Sequence, residues 1–311
     1  MQGALISTYF LPAVLAIIMF NLGLSLRISD FKRILRHPRQ LIIGLMAQII
    51  ILPLIAFAIA SISGLSSELK VGIMIIAACP GGAVSNLITY YLKGSVSLSV
   101  ALTSVNSVII LGSLPAIIWI ALSQFVGESE IITMSVQETV LKIFAMILVP
   151  TSLGMLIRHK KRMIAYRIEQ VMKYLSVILL AVVYSFVIFE KTGSDRTSIA
   201  EYLEIAPWVF SLNLLGMLTG FWMARFSGLN IAKQITLSVE VGIQNSALAI
   251  TIASSAAFLG NHQMAIPAVI YGMFTFFSAV IFGLIIRKWV KPSKLIKKSE
   301  PETQQELEVR G

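Results

Sequence analysis

The chain is built from long apolar runs of about 20 residues, separated by short stretches of Gly, Pro and charge. That length matches the hydrocarbon core of a bilayer crossed as a helix. A water-soluble fold of 311 residues could not bury so much apolar surface: 57% of the residues are hydrophobic and only 13% charged, against roughly a quarter charged in ordinary soluble domains. The mean hydropathy is +0.85. The pattern predicts an all-α membrane protein with nine transmembrane helices. Their approximate limits are 6–26, 41–63, 69–92, 96–124, 136–157, 167–189, 205–226, 231–257 and 264–289. The first run lacks a basic leader and a small-residue cleavage site, so it is expected to be retained as a helix.

The net charge of +10 does not point to nucleic acid, because the basic residues fall in clusters between apolar runs. Arg27, Lys32, Arg33, Arg36 and Arg39 mark the first loop, Lys93 a later turn, and His159, Lys160, Lys161 and Arg162 another loop. Arg287, Lys288, Lys291 and Lys294 mark the end of the last run and the C-terminal stretch beyond it. The alternate loops hold Glu68, Glu128, Glu130, Asp195 and Glu201. Under the positive-inside rule this predicts a multi-pass protein of the cell (inner) membrane, N-terminus outside and C-terminus cytoplasmic. A polar cytoplasmic tail is expected over 291–311. His37, His159 and His262 are all assigned to loops, and the oligomeric state is left open.

Two runs carry features that break helices. The third has Pro80-Gly81-Gly82 at its middle, and the eighth has Glu240, Gly242, Gln244 and Asn245. Proline removes a donor and glycine loosens the backbone. Each break is followed by a polar residue and Asn: Ser85-Asn86 and Gln244-Asn245. An odd number of helix steps sets the two in opposite directions, as in an inverted-repeat transporter with discontinuous crossing helices.

Glu240 is the one acidic residue near the middle of a run. An unpaired carboxylate there is costly, and no Lys or Arg lies at comparable depth, leaving a bound sodium ion or a proton as partner. A protonated glutamate that merely ties helices together is the structural alternative. The fourth run offers Ser97, Ser99, Thr103, Ser104, Asn106 and Ser107. Ser99 and Thr103, four apart, share a helix face, although such hydroxyls more often serve as helix–helix glue. Gln48 is a lone amide in the second run, and taken alone it too reads as glue. Cys79 is a possible metalloid ligand, but a small buried residue is the plainer reading. No paired aspartates, HExxH motif or histidine within a run supports an intramembrane enzyme, and a transporter without cofactors is expected.

PGGAVSN at 80–86, SVSLSVALTS at 95–104 and EVGIQNS at 240–246, with weaker support from IIMFNLGLSLRISDF at 17–31, resemble the bile acid:sodium symporter family over nearly all of residues 10–290. The resemblance implies two sodium ions as coupling ions. One would be held by Ser85, Asn86, Ser99, Thr103 and Glu240. The other would be held by Glu240, Val241, Ile243, Gln244 and Gln48. It also implies a transporter domain over 1–290, with a panel of helices (6–26, 136–157, 167–189) moving against a core (41–124, 205–289). Substrate would sit near the crossing, close to Asn245, Ala83, Asn213 and Thr275. The last three stand where some members carry His-Asn pairs or, often, a threonine after the two glycines; this chain reads Ala83, Leu212-Asn213 and Thr275-Phe276. Some bacterial relatives begin with an additional helix, hence nine here. The expected function is sodium-coupled symport of a small organic anion, bile-acid-like or a monocarboxylate such as pantoate or a keto acid. An arsenite-type efflux carrier of the same superfamily and a proton-coupled carrier using Glu240 are the alternatives.

Overall fold

A computed structural model describes residues 9–25, 38–126, 136–189, 199–255 and 258–289. Among them the secondary structure is helical throughout. The helices are α1 Leu11–Ser25, α2 Pro38–Met46, α3 Leu52–Ile62, α4 Ser67–Ala78, α5 Ala83–Tyr91, α6 Val96–Phe125, α7 Val136–Lys160, α8 Arg162–Phe189, α9 Ile199–Phe226, α10 Ile231–Gly242, α11 Ser246–Ser254 and α12 Ile266–Trp289. A π-helical turn, Ala47–Ile51, joins α2 to α3, and a 3-10 turn, Gln263–Ala265, precedes α12. Among the described residues, five helical stretches are long and apolar enough to cross a membrane: Pro38–Ile62, Val96–Phe125, Tyr202–Phe226, Ile231–Ser254 and Gln263–Lys288.

The interruptions have local causes. Cys79 is extended (φ −73°, ψ 152°), as the residue before a proline must be to avoid the ring, so α4 ends at Ala78. Gly82 is extended too, and α5 starts after it without a side-chain cap. In the eighth run α10 stops at Gly242, Ile243 is extended, and the Asn245 side chain caps α11 by accepting from Leu248 N–H at 3.1 Å. The π turn follows from Pro53. With no N–H, it cannot bond the Ile49 carbonyl, and its ring crowds that oxygen. The ladder widens, and Leu52 N–H bonds Ala47 instead.

Two close seams organise the packing. Helix α1 lies against α7 and α8. A side chain at Gly23 would collide with the Thr151 carbonyl, so glycine lets these backbones touch, as small residues do between membrane helices. Helix α9 lies against α10 in the same way, where a side chain at Gly220 would strike the Leu237 carbonyl. Ser238 closes that seam by donating to the Met217 carbonyl at 2.8 Å. Helix α6 contacts α2, α4, α5, α7 and α10. The α10–α11 stretch is 94% buried at its most apolar, against 39–50% for the other four.

Several charged residues assigned to loops lie within helices instead. Arg39 is in α2, Glu68 in the first turn of α4 and Glu201 in α9. His159 and Lys160 complete the last turn of α7, and Arg162 opens α8, leaving Lys161 alone between them. The physical reason at Glu68, His159 and Lys160 is the helix dipole, which draws acidic groups into first turns and basic groups into last turns. Arg27, Lys32, Arg33, Arg36, His37, Glu128, Glu130, Asp195 and the tail at 291–311 lie outside the described residues.

Candidate functional site

The two interruptions meet. Asn245 N–H donates to the Pro80 carbonyl at 2.8 Å, tying the second break to the first. Beside this link Glu240, fully buried, turns its carboxylate towards α6. Thr103 Oγ1 donates to Oε2 at 2.9 Å and Ser99 Oγ lies in short contact with Oε1. Ser99 Oγ is also 2.6 Å from Asn86 Oδ1 on α5. A serine hydroxyl carries one proton, so it cannot satisfy both oxygens at once. Asn86 Oδ1, Ser99 Oγ and Glu240 Oε1 are thus crowded oxygens with one hydroxyl proton among them. With the Asn86 amide oxygen facing Ser99, a cation or a second proton completes the cluster. Ser85, fully buried, donates to the Gly82 carbonyl at 2.7 Å. Gly81 leaves open the space these groups surround: a Cβ there would lie 3.0 Å from Glu240 Oε2, 3.3 Å from Ser85 Oγ and 3.5 Å from Gln48 Nε2.

A second group of oxygens lies along the backbone from Glu240 to Gln244. Gln48, in the π turn, donates Nε2 to the Glu240 carbonyl at 2.9 Å, and Gln244 donates Nε2 to the Val241 carbonyl at 2.8 Å. Both amides are oriented through their nitrogens. Their oxygens, Gln48 Oε1 and Gln244 Oε1, are buried without any hydrogen-bond donor. Buried acceptors without donors are uncommon and costly, and an oxygen of this kind is what a hard cation takes as ligand. Val241 and Ile243 are buried alongside.

The structure therefore brings Ser85, Asn86, Ser99, Thr103, Glu240, Gln48, Val241, Ile243 and Gln244 into one neighbourhood. Of the four residues assigned to substrate, Asn213 and Thr275 are bridged by the Ser278 hydroxyl. Ala83 opens α5 and Asn245 is half-buried at the crossing. Thr275 is buried, and Asn213 is fully buried with its amide engaged at both ends. Phe276 is 41% exposed and stands edge-on to Phe277. Cys79 packs within the main apolar cluster. Sequence reasoning missed Tyr271 and Ser278, which join the second break, and the π turn that carries Gln48. The available signal was Pro53, five residues beyond Gln48. Among the described residues no group of three or more His, Cys, Asp or Glu could hold a metal ion.

The sodium bile acid symporter family model matches residues 12–195, more than half of the chain. An uncharacterized sodium-dependent transporter of Bacillus subtilis is 30% identical over 295 residues, covering 95% of this chain and 86% of that protein. The chain belongs to the sodium bile acid symporter family. Other relatives in the family include a probable chloroplastic sodium/metabolite cotransporter of Arabidopsis thaliana, 27% identical over 82% of this chain and 61% of its own length. The human ileal sodium/bile acid cotransporter is 29% identical over 78% of the chain and 68% of its own length. Membership makes the chain a multi-pass membrane transporter of a sodium-symporting family and not an enzyme.

Proposed function

We infer that the chain is a sodium-coupled symporter of a small organic anion, working by alternating access in the cell membrane. The observation that carries this is the set of oxygens around Glu240. One carboxylate, two hydroxyls and an amide oxygen crowd together with too few protons, and two further amide oxygens stand without donors. Oxygen-only ligands suit a hard monovalent cation, and interrupted helices at a repeat interface are where coupling ions sit. Two sodium ions are proposed. Ser85, Asn86, Ser99, Thr103 and Glu240 take the first, and Gln48, Gln244, Glu240 and the backbone at Val241 and Ile243 the second.

The membrane arrangement proposed is nine spans, N-terminus outside, with the two interrupted helices in inverted repeats. The panel would be α1, α7 and α8, which pack together, and it would move against the remaining core. The anion would dock beside Asn245. Where some members of the family carry His-Asn pairs this chain reads Leu212-Asn213 and Thr275-Phe276, so a small monocarboxylate is the better candidate than a steroid, because a missing hydrogen-bond partner discriminates strongly among ligands.

Uptake into proteoliposomes under an inward sodium gradient, with taurocholate, pantoate and a short keto acid as probes, tests this. Uptake should follow sodium and favour the small acids. Glu240→Gln keeps the shape and removes the charge. It should raise the sodium requirement at least about 100-fold, since removing one member of a buried charged pair costs about 3 kcal/mol or more. Uptake by that variant at the normal sodium concentration would overturn the assignment. Uptake driven by protons alone would point to the carboxylate as a proton carrier.

A further inference from the structure

Tyr271 of α12 is fully buried in the main apolar cluster, yet its hydroxyl reaches a backbone oxygen. It donates to the Gly242 carbonyl at 2.5 Å. Asn213 Nδ2, from α9, donates to the same carbonyl at 2.5 Å and lies 3.5 Å from the Tyr271 hydroxyl. Asn213 is in turn held by Ser278 Oγ, which donates to Oδ1 at 2.7 Å. A carbonyl oxygen has two lone pairs, and here both have a donor. On the other side of the same peptide unit, Ile243 N–H donates to the Val239 carbonyl at 2.9 Å. The peptide between Gly242 and Ile243 is thus pinned at both ends. Gly242 cannot yield by gaining a side chain, since a Cβ there would strike Met217.

The pinned unit separates Val241 from Ile243 and leads directly into Gln244. It fixes which way the peptides on each side of it face, and from where the Gln244 side chain turns back onto the Val241 carbonyl. Nothing in the cluster touches the crowded oxygens at Glu240.

We propose that Tyr271 and Asn213, braced by Ser278, are positioning residues that set the affinity of the second cation site by holding the Gly242–Ile243 peptide. This rests on the sodium reading above. It also moves Asn213 from substrate contact to backbone brace. The expected signature is a weaker response to sodium in a protein that still folds.

Sodium itself is the probe. The full-length protein in detergent is titrated with sodium chloride, choline chloride keeping ionic strength constant, and thermal stabilisation is followed. A ligand that binds only the folded state raises stability as RT ln(1 + [L]/Kd), so a fit of that logarithmic rise gives the half-saturating concentration of the site, separately from the baseline stability. Tyr271→Phe keeps the ring and removes the donor. It should raise the half-saturating sodium concentration about tenfold, the scale of one lost buried hydrogen bond. Ser278→Ala, which frees Asn213 without touching the carbonyl, should raise it about two- to threefold. A purely structural role would lower the melting temperature at every sodium concentration and leave half-saturation where it was, and that result in Tyr271→Phe overturns the proposal. Should Tyr271→Phe fail to fold, an unmoved half-saturation in Ser278→Ala alone overturns it. If Glu240→Gln still responds to sodium as the native chain does, the sodium reading and this proposal fall together. If Glu240→Gln loses the response while Tyr271→Phe matches the native chain, this proposal alone falls.

Discussion

The two interrupted segments look alike in sequence but are built differently. At the second, every freed backbone oxygen from Glu240 to Gly242 has a donor: Gln48, Gln244, then Tyr271 with Asn213. Its second half-helix starts on a side-chain cap. At the first, α5 starts from Gly82 without a side-chain cap, and it leaves Val84, Leu87, Tyr90 and Tyr91 exposed. The second break is a braced fixture wrapped by other helices, whereas the first leans on it through the Asn245–Pro80 bond and keeps an open face. Similar local sequence thus permits two mechanical roles, because side chains from distant helices brace the oxygens of one break, whereas at the other Pro80 is held by the Asn245 backbone and Gly82 by the nearby Ser85.

The contrast can be attacked where the two breaks face each other. The largest effect is expected at Gly81, the first-break residue whose missing side chain faces Glu240. Gly81→Ala puts a carbon 3.0 Å from Oε2; overpacking of about 1–3 kcal/mol should raise the half-saturating sodium concentration about tenfold in the same titration. A response like that of the native chain would mean that the space beside Glu240 takes no part in ion binding. An intermediate effect is expected at Asn245. Asn245→Ala removes the cap of α11 and should cost about 1 kcal/mol of stability, seen as a lowered melting temperature in sodium-free buffer. An unchanged melting temperature there would show that the second break does not depend on its cap. The smallest effect belongs to Gly82→Ala. No atom lies within 4 Å of its added carbon and the backbone is extended, so stability and half-saturation should stay within about 0.5 kcal/mol of native. A large loss would show that the first break is as tightly enclosed as the second.

Much of this was legible in the residues. Glu240 stood out because a carboxylate in an apolar run needs a partner, and Ser99 and Thr103 because a spacing of four puts two hydroxyls on one face. Pro80 announced the end of α4. Other features depend on distant parts of the chain and left no local mark. The widened turn at Gln48 arises from Pro53 acting back along the helix. Tyr271 reads as one more aromatic packing residue until the fold sets its hydroxyl against Gly242. The charges at Glu68 and His159 were assigned to loops because charge was read as a boundary, although a helix end accepts charge of the matching sign.

The near-complete enclosure of the α10–α11 stretch bears on how the protein is made. Its most apolar part is 94% buried, and it carries Glu240, Gln244 and Asn245 through its middle. A segment with such groups gains little from contact with lipid tails. Its residence in the bilayer rests on neighbours made both before and after it: α9, across the Gly220 seam, and α12, which supplies Tyr271. A chain ending before α12 would lack the Tyr271 donor to Gly242, so the α10–α11 stretch should be held less firmly there than in the full chain.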